Sequence, residues 1–266
     1  MDLSAYRLLK EPFYQERGAE VPIMEAACQQ GVPVMLKGPT GCGKTRFVEH
    51  IAWRLGRPLI TVSCHEDMTA ADLVGRHLLT AEGTVWHDGP LTLAVRHGAI
   101  CYLDEVVEAR QDTIVVIHPL GDSRRILPLE RKGEVVQAHP AFQLVVSYNP
   151  GYQSAVKDLK ESTKQRFIAI QFEYPDAADE AAIIARETGI GTADARLLVQ
   201  AGQASRNLRG QGLEEGASTR MLIHAGRLLA GGLGLREALR AGVVLPITDD
   251  PDLQDALDAA IVAIGA

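Results

Sequence analysis

The length of the chain suits one large domain, or one domain with a smaller satellite. Of its 266 residues, 46% are hydrophobic, which is enough to bury a full core and argues against an intrinsically disordered protein. The 34 acidic residues outnumber the 27 basic ones, and the net charge of -7 opposes binding to nucleic-acid phosphates. No apolar run is as long as the roughly 18 residues of a membrane span. Because the N-terminus also lacks the blocks of a signal peptide, we expect a cytoplasmic protein with no membrane partner.

The cysteines form no pattern typical of a metal site or a disulfide framework. They are scattered at Cys28, Cys42, Cys64 and Cys101, without a CxxC pair, so we expect reduced and mostly buried thiols. Metal-capable side chains are adjacent from Cys64 to Asp67. Neighbouring residues on an extended chain point in alternating directions, however, and do not readily close one coordination sphere.

Five apolar runs, each bounded by Gly, Pro or charged residues, predict buried strands. They are Val32 to Leu36, Leu59 to Val62, Ile100 to Leu103, Phe142 to Tyr148 and Ile168 to Phe172. Amphipathic segments between several of the runs have the character of crossover helices. This alternation is typical of an α/β domain whose largely parallel sheet is covered on both faces. We predict that this domain spans residues 1–175.

The sequence changes character after residue 175. Apolar residues then recur at helical spacing in 176–188, 192–207, 218–231 and 235–242, with no strand-like run among them. Glycine-rich breaks separate these segments. The pattern predicts a small all-α domain over residues 176–266.

One glycine-rich segment has the form of a phosphate-binding loop. It reads Gly38, Pro39, Thr40, Gly41, Cys42, Gly43, Lys44 and Thr45, which fits the pattern GxxxxGK(S/T). In such a loop the glycines let backbone N–H groups approach the phosphates of ATP, Lys44 reaches the β and γ groups, and Thr45 binds Mg²⁺. A predicted strand precedes the loop, and a predicted helix from Thr45 to Leu55 follows it and directs its N-terminus at the anion. The alternative is a chance glycine turn.

Two carboxylates follow the third apolar run, in the form of a Walker B element. The strand from Ala99 to Leu103 leads directly into Asp104 and Glu105. Asp104 would hold Mg²⁺ through water, and Glu105 would polarise the water that attacks the γ-phosphate. The alternative is an acidic strand end with no catalytic role.

A third polar residue, Asn149, ends the next apolar run. Its neutral amide could align the attacking water and sense whether the γ-phosphate is present. An Asn before Pro150 and Gly151 is equally typical of a turn, so this residue is weak evidence by itself.

Taken in order, these motifs resemble those of AAA+ ATPases, and in particular the MoxR branch. The resemblance implies a P-loop domain followed by a helical lid, with ATP between them and Asn149 as sensor 1. It also implies that Arg166, in Lys164-Gln165-Arg166-Phe167, is an arginine finger acting on the ATP of the neighbouring subunit. Arg220, in Ala217-Ser218-Thr219-Arg220, corresponds to the sensor 2 arginine. The alternative for either arginine is an ordinary surface or salt-bridged side chain.

Longer stretches look like the CbbQ, NirQ and NorQ proteins, and most of all like the CbbQ members. They are Leu36 to Glu49, Asp72 to Gly75, Ala99 to Arg110 and Ser147 to Gln153. The resemblance implies a homo-oligomer, a hexameric ring, that works with an adaptor carrying a von Willebrand factor A (VWA) domain, of the CbbO type. For CbbQ members the client is Rubisco blocked by inhibitory sugar phosphates. For NirQ and NorQ members it is nitric oxide reductase during maturation.

Two segments resemble the inserts with which MoxR proteins hold partners. Residues 72–91 correspond to the helix 2 insert. Residues 121–139 correspond to the pre-sensor 1 hairpin, with strands at Leu127 to Arg131 and Glu134 to Gln137. The alternative for both is a surface hairpin without a partner, with Trp86 folded back onto the domain.

Two other function classes stay open. A nucleotide-dependent scaffold would bind ATP and hardly hydrolyse it. A DNA-dependent ATPase would use the arginines of the helical region, Arg206, Arg209, Arg220 and Arg227, but Glu214 and Glu215 interrupt them and no aromatic residues alternate with them.

Overall fold

The computed structural model describes residues 3–81, 83–150, 159–210 and 212–265. The chain divides into two compact units. The first comprises Met1–Gly38 and Lys44–Phe172, and the second comprises Pro39–Gly43 and Glu173–Ala266. The phosphate-loop residues 39–43 are therefore grouped with the helical part of the chain.

All strands of the described residues lie in the first unit. They are β1 Val34–Lys37, β2 Leu59–Ser63, β3 Gly75–Thr80, β4 Gly83–Asp88, β5 Ile100–Asp104, β6 Ile126–Leu129, β7 Glu134–Gln137, β8 Gln143–Tyr148 and β9 Ile168–Gln171. Five of them form a parallel sheet in the order β2-β5-β8-β1-β9. This confirms the predicted parallel sheet, and each of the five predicted strands shifts at its ends by at most two residues.

The central strands are apolar because both faces of the sheet are covered. Every residue of β8 is buried, and so are the first three of β1 and the first four of β5. Buried side chains from neighbouring strands, such as Cys101, Leu103, Leu144 and Val146, belong to one hydrophobic cluster. Such continuous apolar runs are what a parallel sheet requires. All four cysteines are buried and free of disulfides, as predicted.

The helices of the first unit pack around this sheet. They are α1 Glu20–Gln30, α2 Lys44–Arg54, α3 Ala70–Val74, α4 Pro90–His97, α5 Gln111–Val115 and α6 Glu161–Lys164. Short 3-10 turns occupy Ser4–Tyr6, Val106–Glu108, His118–Leu120 and Glu130–Lys132. The predicted helix after the phosphate loop is α2, which buries Phe47, Val48 and Ile51 on one face. Burial of this apolar face holds α2 in place within the first unit.

The rest of the second unit is helical, as predicted. Its helices are α7 Ala177–Thr188, α8 Thr192–Asn207, α9 Thr219–Ala230, α10 Leu235–Leu239, α11 Leu245–Ile247 and α12 Pro251–Ala263. The helix predicted over 235–242 ends at Leu239 and continues as a π-helix, Arg240–Val244. The sequence did not lead us to predict α12, although Asp250 caps it and Pro251 occupies its first turn. No helix of the described residues has the length and apolar character needed to cross a membrane.

Antiparallel hairpins lie inside both segments that resemble partner-holding inserts. β3 pairs with β4, and β6 pairs with β7. Trp86 on β4 is partly buried against the core, and its indole N–H donates to Asp88 Oδ1 at 2.7 Å. The rings of Trp86 and His77 also pack in a T-shaped arrangement. Trp86 therefore folds back and braces its own hairpin.

A single arginine, Arg96 on α4, binds a carboxylate from each hairpin. Its Nε donates to Asp88 Oδ2 at 2.9 Å, and its Nη2 donates to Glu134 Oε2 at 2.8 Å. Lys132 lies 2.7 Å from the same Glu134 oxygen. These two cations, Arg96 first, hold the pKa of Glu134 at about 2. Arg96 thereby joins the base of the β3–β4 hairpin, at Asp88, to the turn end of the β6–β7 hairpin, at Glu134.

A second arginine, Arg125, anchors the start of the β6–β7 hairpin. Its backbone has a φ of 46°, which is unusual for a residue other than glycine. Its guanidinium donates to the carbonyl oxygens of Gly31 at 2.6 Å and Phe142 at 2.9 Å. Gly31 ends α1 in the left-handed conformation. The positive charge of Arg125 therefore meets the negative end of the α1 dipole.

We expect Gly31→Ala to lower the free energy of unfolding by about 2–4 kcal/mol. Gly31 has a φ of 64°, and an added Cβ would lie 1.3 Å from Arg125 Nη1, so the substitution both strains the backbone and displaces a guanidinium that is hydrogen-bonded to two carbonyls. Urea unfolding measures the loss. Gly56→Ala is the matched control, because Gly56 has a φ of 60° with no described atom within 4 Å of its Cβ position. Equal losses for the two variants would show that the Arg125 contact contributes nothing.

Candidate active site

The phosphate loop has the backbone that its sequence predicts. It connects β1 to α2, and Gly38, Gly41 and Gly43 all have positive φ. Apart from Gly43 itself and its two chain neighbours, no described atom lies within 4 Å of the position that a Cβ on Gly43 would occupy. Space is therefore open above the loop at the residue before the first turn of α2, where backbone N–H groups can receive a phosphate.

Lys44, the first residue of α2, folds back towards the start of the loop. Its Nζ donates to the carbonyl oxygen of Gly38 at 2.8 Å. The backbone of Gly38 is also tied to the sheet, because its N–H donates to Tyr148 O at 3.2 Å. The ammonium group is thus held beside the loop where phosphate binding requires a positive charge.

The carboxylate of Asp104 is oriented by two buried hydroxyl groups. Its Oδ1 accepts hydrogen bonds from Tyr102 Oη at 2.6 Å and from Ser147 Oγ at 2.5 Å. The hydroxyl of Tyr102 is also hydrogen-bonded to that of Thr45. Burial and the neighbouring Asp104 raise the pKa of Tyr102, so Tyr102 stays a neutral donor. The two predicted magnesium ligands, Thr45 and Asp104, therefore share one hydrogen-bond partner, and their hydroxyl and carboxylate oxygens suit Mg²⁺.

Glu105 follows Asp104 in a strained backbone conformation. Its φ and ψ are 54° and 49°, the left-handed region, which costs a non-glycine residue roughly 1–2 kcal/mol. Its backbone N–H donates to Ser147 Oγ at 2.7 Å, and its side chain is exposed. Strain of this kind persists where the surrounding structure enforces it, and such residues concentrate at functional sites.

Asn149 directly follows β8, which lies between β5 and β1 in the sheet. The carboxyl ends of parallel strands meet at one edge, so Asn149, Asp104 and the start of the phosphate loop share that edge. The resemblance beyond Pro150, at Gly151, Tyr152 and Gln153, lies outside the described residues. The start of the loop, Asp104 and Asn149 thus lie at one edge of the sheet, and the roles of these residues remain predictions.

Arg166 lies in the turn after α6. Its guanidinium donates to the carbonyl oxygen of Ser162, and its buried Nε has no hydrogen-bond partner among the described residues. His118 lies close by, with Nε2 2.9 Å from Thr163 Oγ1. Burial first, and then Arg166 and Lys160, lower the pKa of His118. The arginine-finger role of Arg166 concerns a second subunit and remains a prediction.

Arg220 occupies the first turn of α9, beside the phosphate loop. Ser218 caps this helix by accepting a hydrogen bond from Met221 N at 3.3 Å. A Cβ added to Gly41 would lie 2.6 Å from Ser218 Cβ and 3.4 Å from Arg220 Cβ. Gly41 and α9 belong to the same compact unit, and the exposed Arg220 side chain starts next to the loop. The sensor 2 role of Arg220 remains a prediction.

A buried ion pair behind α9 was not predicted from the sequence. Glu180 is 0% exposed, and its two carboxylate oxygens accept from Arg206 Nη1 at 2.8 Å and Nη2 at 2.7 Å. Thr219, next to Arg220, donates to Glu180 Oε1 at 2.5 Å. The Arg206 guanidinium also lies 4.0 Å from the ring centroid of Tyr174, whose hydroxyl donates to Thr40 O at 3.0 Å.

This arrangement has two consequences, the first of which concerns the DNA-dependent ATPase alternative. Arg206 is engaged inside the helical unit, so it is not part of a cationic surface for DNA. The same contacts connect the phosphate loop at Thr40 to the start of the helix that carries Arg220. The sequence signal for this network was weak, because its members are separated by tens of residues.

Two family models together match most of the chain. The AAA domain (dynein-related subfamily) matches residues 33–167, which contain the loop, both carboxylates and four of the five strands of the parallel sheet. The CbbQ/NirQ/NorQ C-terminal domain matches residues 180–264, which contain α8, α9 and α12. The first match lies within the predicted α/β part of the sequence, residues 1–175, and the second lies within the predicted all-α part, residues 176–266.

Relatives of known name are similar over nearly the whole chain. Protein CbbQ of Hydrogenophilus thermoluteolus is 62% identical over 98% of both chains. Denitrification regulatory protein NirQ of Pseudomonas aeruginosa is 60% identical over 90% of this chain and 92% of its own. Protein NorQ of Paracoccus denitrificans is 55% identical over 95% of this chain and 94% of its own.

Solved structures share the fold at low sequence identity. A putative ATPase from Cytophaga hutchinsonii has a TM-score of 0.53 at 16% identity, covering 92% of this chain and 81% of its own. NtrX from Brucella abortus, solved in complex with ADP, has a TM-score of 0.55 at 20% identity, covering 90% of this chain and 52% of its own. The family models and the three relatives show that the chain belongs to the CbbQ/NirQ/NorQ family of AAA+ ATPases.

Proposed function

We propose that the protein hydrolyses ATP with Mg²⁺ as a hexameric ring and uses the energy to remodel a partner protein. One observation carries the proposal: Lys44, Thr45, Asp104 and a strained Glu105 lie at one edge of the sheet, in the family known for this chemistry. In this proposal residues 1–175 form the nucleotide-binding domain and residues 176–266 form the lid.

Each residue has a defined part in the proposed reaction. The backbone N–H groups of residues 38–45 and the ammonium of Lys44 bind the phosphates. Thr45 and Asp104 would hold Mg²⁺, which neutralises charge on the phosphates when it is bound. Glu105 accepts a proton from the attacking water, and that water adds to the γ-phosphorus as the bond to ADP breaks.

Three further residues would complete the site. Asn149 aligns the attacking water, and Arg220 contacts the γ-phosphate of its own subunit. Arg166 supplies positive charge to the neighbouring subunit, where it stabilises the leaving phosphate only after the ring has assembled. Oligomerisation would thereby control the hydrolysis rate.

The proposed partners are those that the resemblance to CbbQ proteins implies. With a VWA-domain adaptor, the ring would deform inhibited Rubisco until a tight-binding sugar phosphate escapes. The hairpins within 72–91 and 121–139 would hold the partners, because nucleotide-dependent loops are where such coupling acts. The 60% identity to NirQ is close to the 62% identity to CbbQ, so maturation of nitric oxide reductase is the second candidate function.

The first experiment measures ATP hydrolysis by the purified protein with and without its VWA-domain partner, together with recovery of carboxylation by inhibitor-blocked Rubisco. We expect recovery only with ATP and the partner, and none with a non-hydrolysable ATP analogue. Robust hydrolysis without recovery would reject the Rubisco client and favour the reductase. Absence of hydrolysis would support the scaffold, and salt-sensitive stimulation by DNA would support the DNA-dependent ATPase.

A further inference from the structure

We propose that Ser147 is a positioning residue that fixes both Walker B carboxylates from the neighbouring strand. The inference rests on the proposed ATP hydrolysis. Ser147 lies on β8 and is 1% exposed. Its hydroxyl donates to Asp104 Oδ1 at 2.5 Å and accepts from the backbone N–H of Glu105 at 2.7 Å. One hydroxyl group thus uses its donor on the first carboxylate residue and its acceptor on the second.

The bond to Asp104 sets which carboxylate oxygen faces the site. Tyr102, which is also buried, donates to the same oxygen, Oδ1, at 2.6 Å. Among the described residues both hydrogen bonds to this carboxylate go to Oδ1, which leaves Oδ2 for water or for Mg²⁺. Loss of the Ser147 hydroxyl frees the carboxylate to rotate, and so weakens the response to Mg²⁺.

The bond to Glu105 holds a backbone that would otherwise relax. A left-handed φ of 54° is unfavourable for glutamate, and it persists only with supporting contacts. If the N–H of Glu105 loses its acceptor, the residue can move towards a right-handed or extended conformation, which swings the carboxylate away. Misplacement of a reacting group by about 1 Å can lower a rate by about 100-fold.

The strand that carries Ser147 also carries Asn149, two residues later. β8 pairs with β5 through Leu103 and Val146 on one side and with β1 through Lys37 and Tyr148 on the other. Ser147 therefore ties the proposed catalytic glutamate to the strand of the proposed sensor. A shift of Ser147 would therefore affect both Glu105 and the strand that leads to Asn149.

The test compares two variants, Ser147→Ala and Ser147→Thr. The first removes the hydroxyl group, and the second keeps a hydroxyl group on a β-branched residue that is suited to a strand. We expect Ser147→Ala to lower kcat by about 10- to 100-fold, with the KM for ATP changed by less than about threefold. Binding of a fluorescent ATP analogue should need more Mg²⁺ for half-saturation, a readout that does not depend on turnover. Ser147→Thr should recover a large part of both.

Thr113→Ala is the matched control. Thr113 is also buried, and its hydroxyl donates to Met68 O at 2.9 Å, so the variant removes a buried hydroxyl of the same unit without touching the carboxylates. Its kcat and Mg²⁺ requirement should stay near those of the parent. If Ser147→Ala fails to fold, Ser147→Cys keeps the volume and loses the strong hydrogen bond, and the same kcat loss is expected.

Two outcomes separate this inference from the proposed function. If the parent protein does not hydrolyse ATP, the proposed function fails. If the parent hydrolyses ATP and the folded Ser147 variant, Ala or Cys, has parental kcat and Mg²⁺ dependence, only the role of Ser147 is overturned. A loss in kcat shared equally by Thr113→Ala would also overturn it, since it would show a general effect of buried hydroxyls.

Discussion

Glu105→Gln is expected to lower ATP turnover by about 100-fold or more, since a positioned general base contributes roughly 10²- to 10⁴-fold to a rate. Gln has the size of Glu and the same difficulty with the left-handed backbone, but its amide cannot accept the proton of the attacking water. Nucleotide binding should persist, because the loop and Lys44 are unchanged. Phosphate release at saturating ATP and titration with a fluorescent ATP analogue measure the two properties separately.

Glu108→Gln is the control for this prediction. Glu108 ends the 3-10 turn that follows Glu105, so the variant removes a nearby carboxylate from the same segment. It should keep parental turnover. Parental turnover in Glu105→Gln would exclude Glu105 as the base and would revive the scaffold alternative if the parent rate were itself very low.

Glu180→Ala is expected to destabilise the helical unit by about 3–5 kcal/mol, the usual loss when one partner of a buried ion pair is removed. The carboxylate is fully buried, and it accepts from Arg206 and from Thr219. Its removal leaves the guanidinium without an anion in a buried site. For a unit of this size the midpoint of thermal unfolding should fall by roughly 10 °C or more, which calorimetry measures.

Two variants control this second prediction. Glu180→Gln retains a hydrogen-bonding side chain of the same length without the charge, and should lose less stability than Glu180→Ala. Arg227→Ala removes an exposed cation, 59% accessible, that lies 3.9 Å from Glu187. It should change stability by less than about 1 kcal/mol. If Glu180→Ala had the same midpoint of thermal unfolding as Arg227→Ala, the buried ion pair would not stabilise the start of α9.

The sequence was sufficient for those parts of the fold and site that depend on short segments. The phosphate loop, the apolar strands and the carboxylates after β5 each follow from consecutive residues, because a parallel strand is a continuous apolar run and its end is marked by a polar residue. The helix α12 also had local signals, in the Asp250-Pro251 start and the apolar spacing of Leu253, Leu257 and Ile261. A helix over 251–263 therefore follows from consecutive residues as well.

The remaining parts depend on which strands become neighbours. Ser147 reaches Asp104 only because β8 lies beside β5 in the sheet, and the chain order does not give that arrangement. The left-handed backbone of Glu105 has no sequence signature, since glutamate rarely adopts it. The ion pair between Glu180 and Arg206 likewise joins two helices. The local sequence around Arg206 is equally typical of a surface arginine, so it does not predict the pair.

Arg96 limits how the two hairpins can vary. Because one guanidinium serves both Asp88 and Glu134, a neutral residue at either position removes one of its two hairpin partners and is expected to change how Arg96 holds the other. Asp88, at the base of one hairpin, and Glu134, beside the turn of the other, are therefore expected to tolerate substitution poorly. Exposed positions such as Leu79 and Val135, which are 86% and 63% accessible, carry no such constraint. Substitutions that adapt the hairpins to a different partner protein are therefore expected at such exposed positions, where they leave Arg96 and its two carboxylates unchanged.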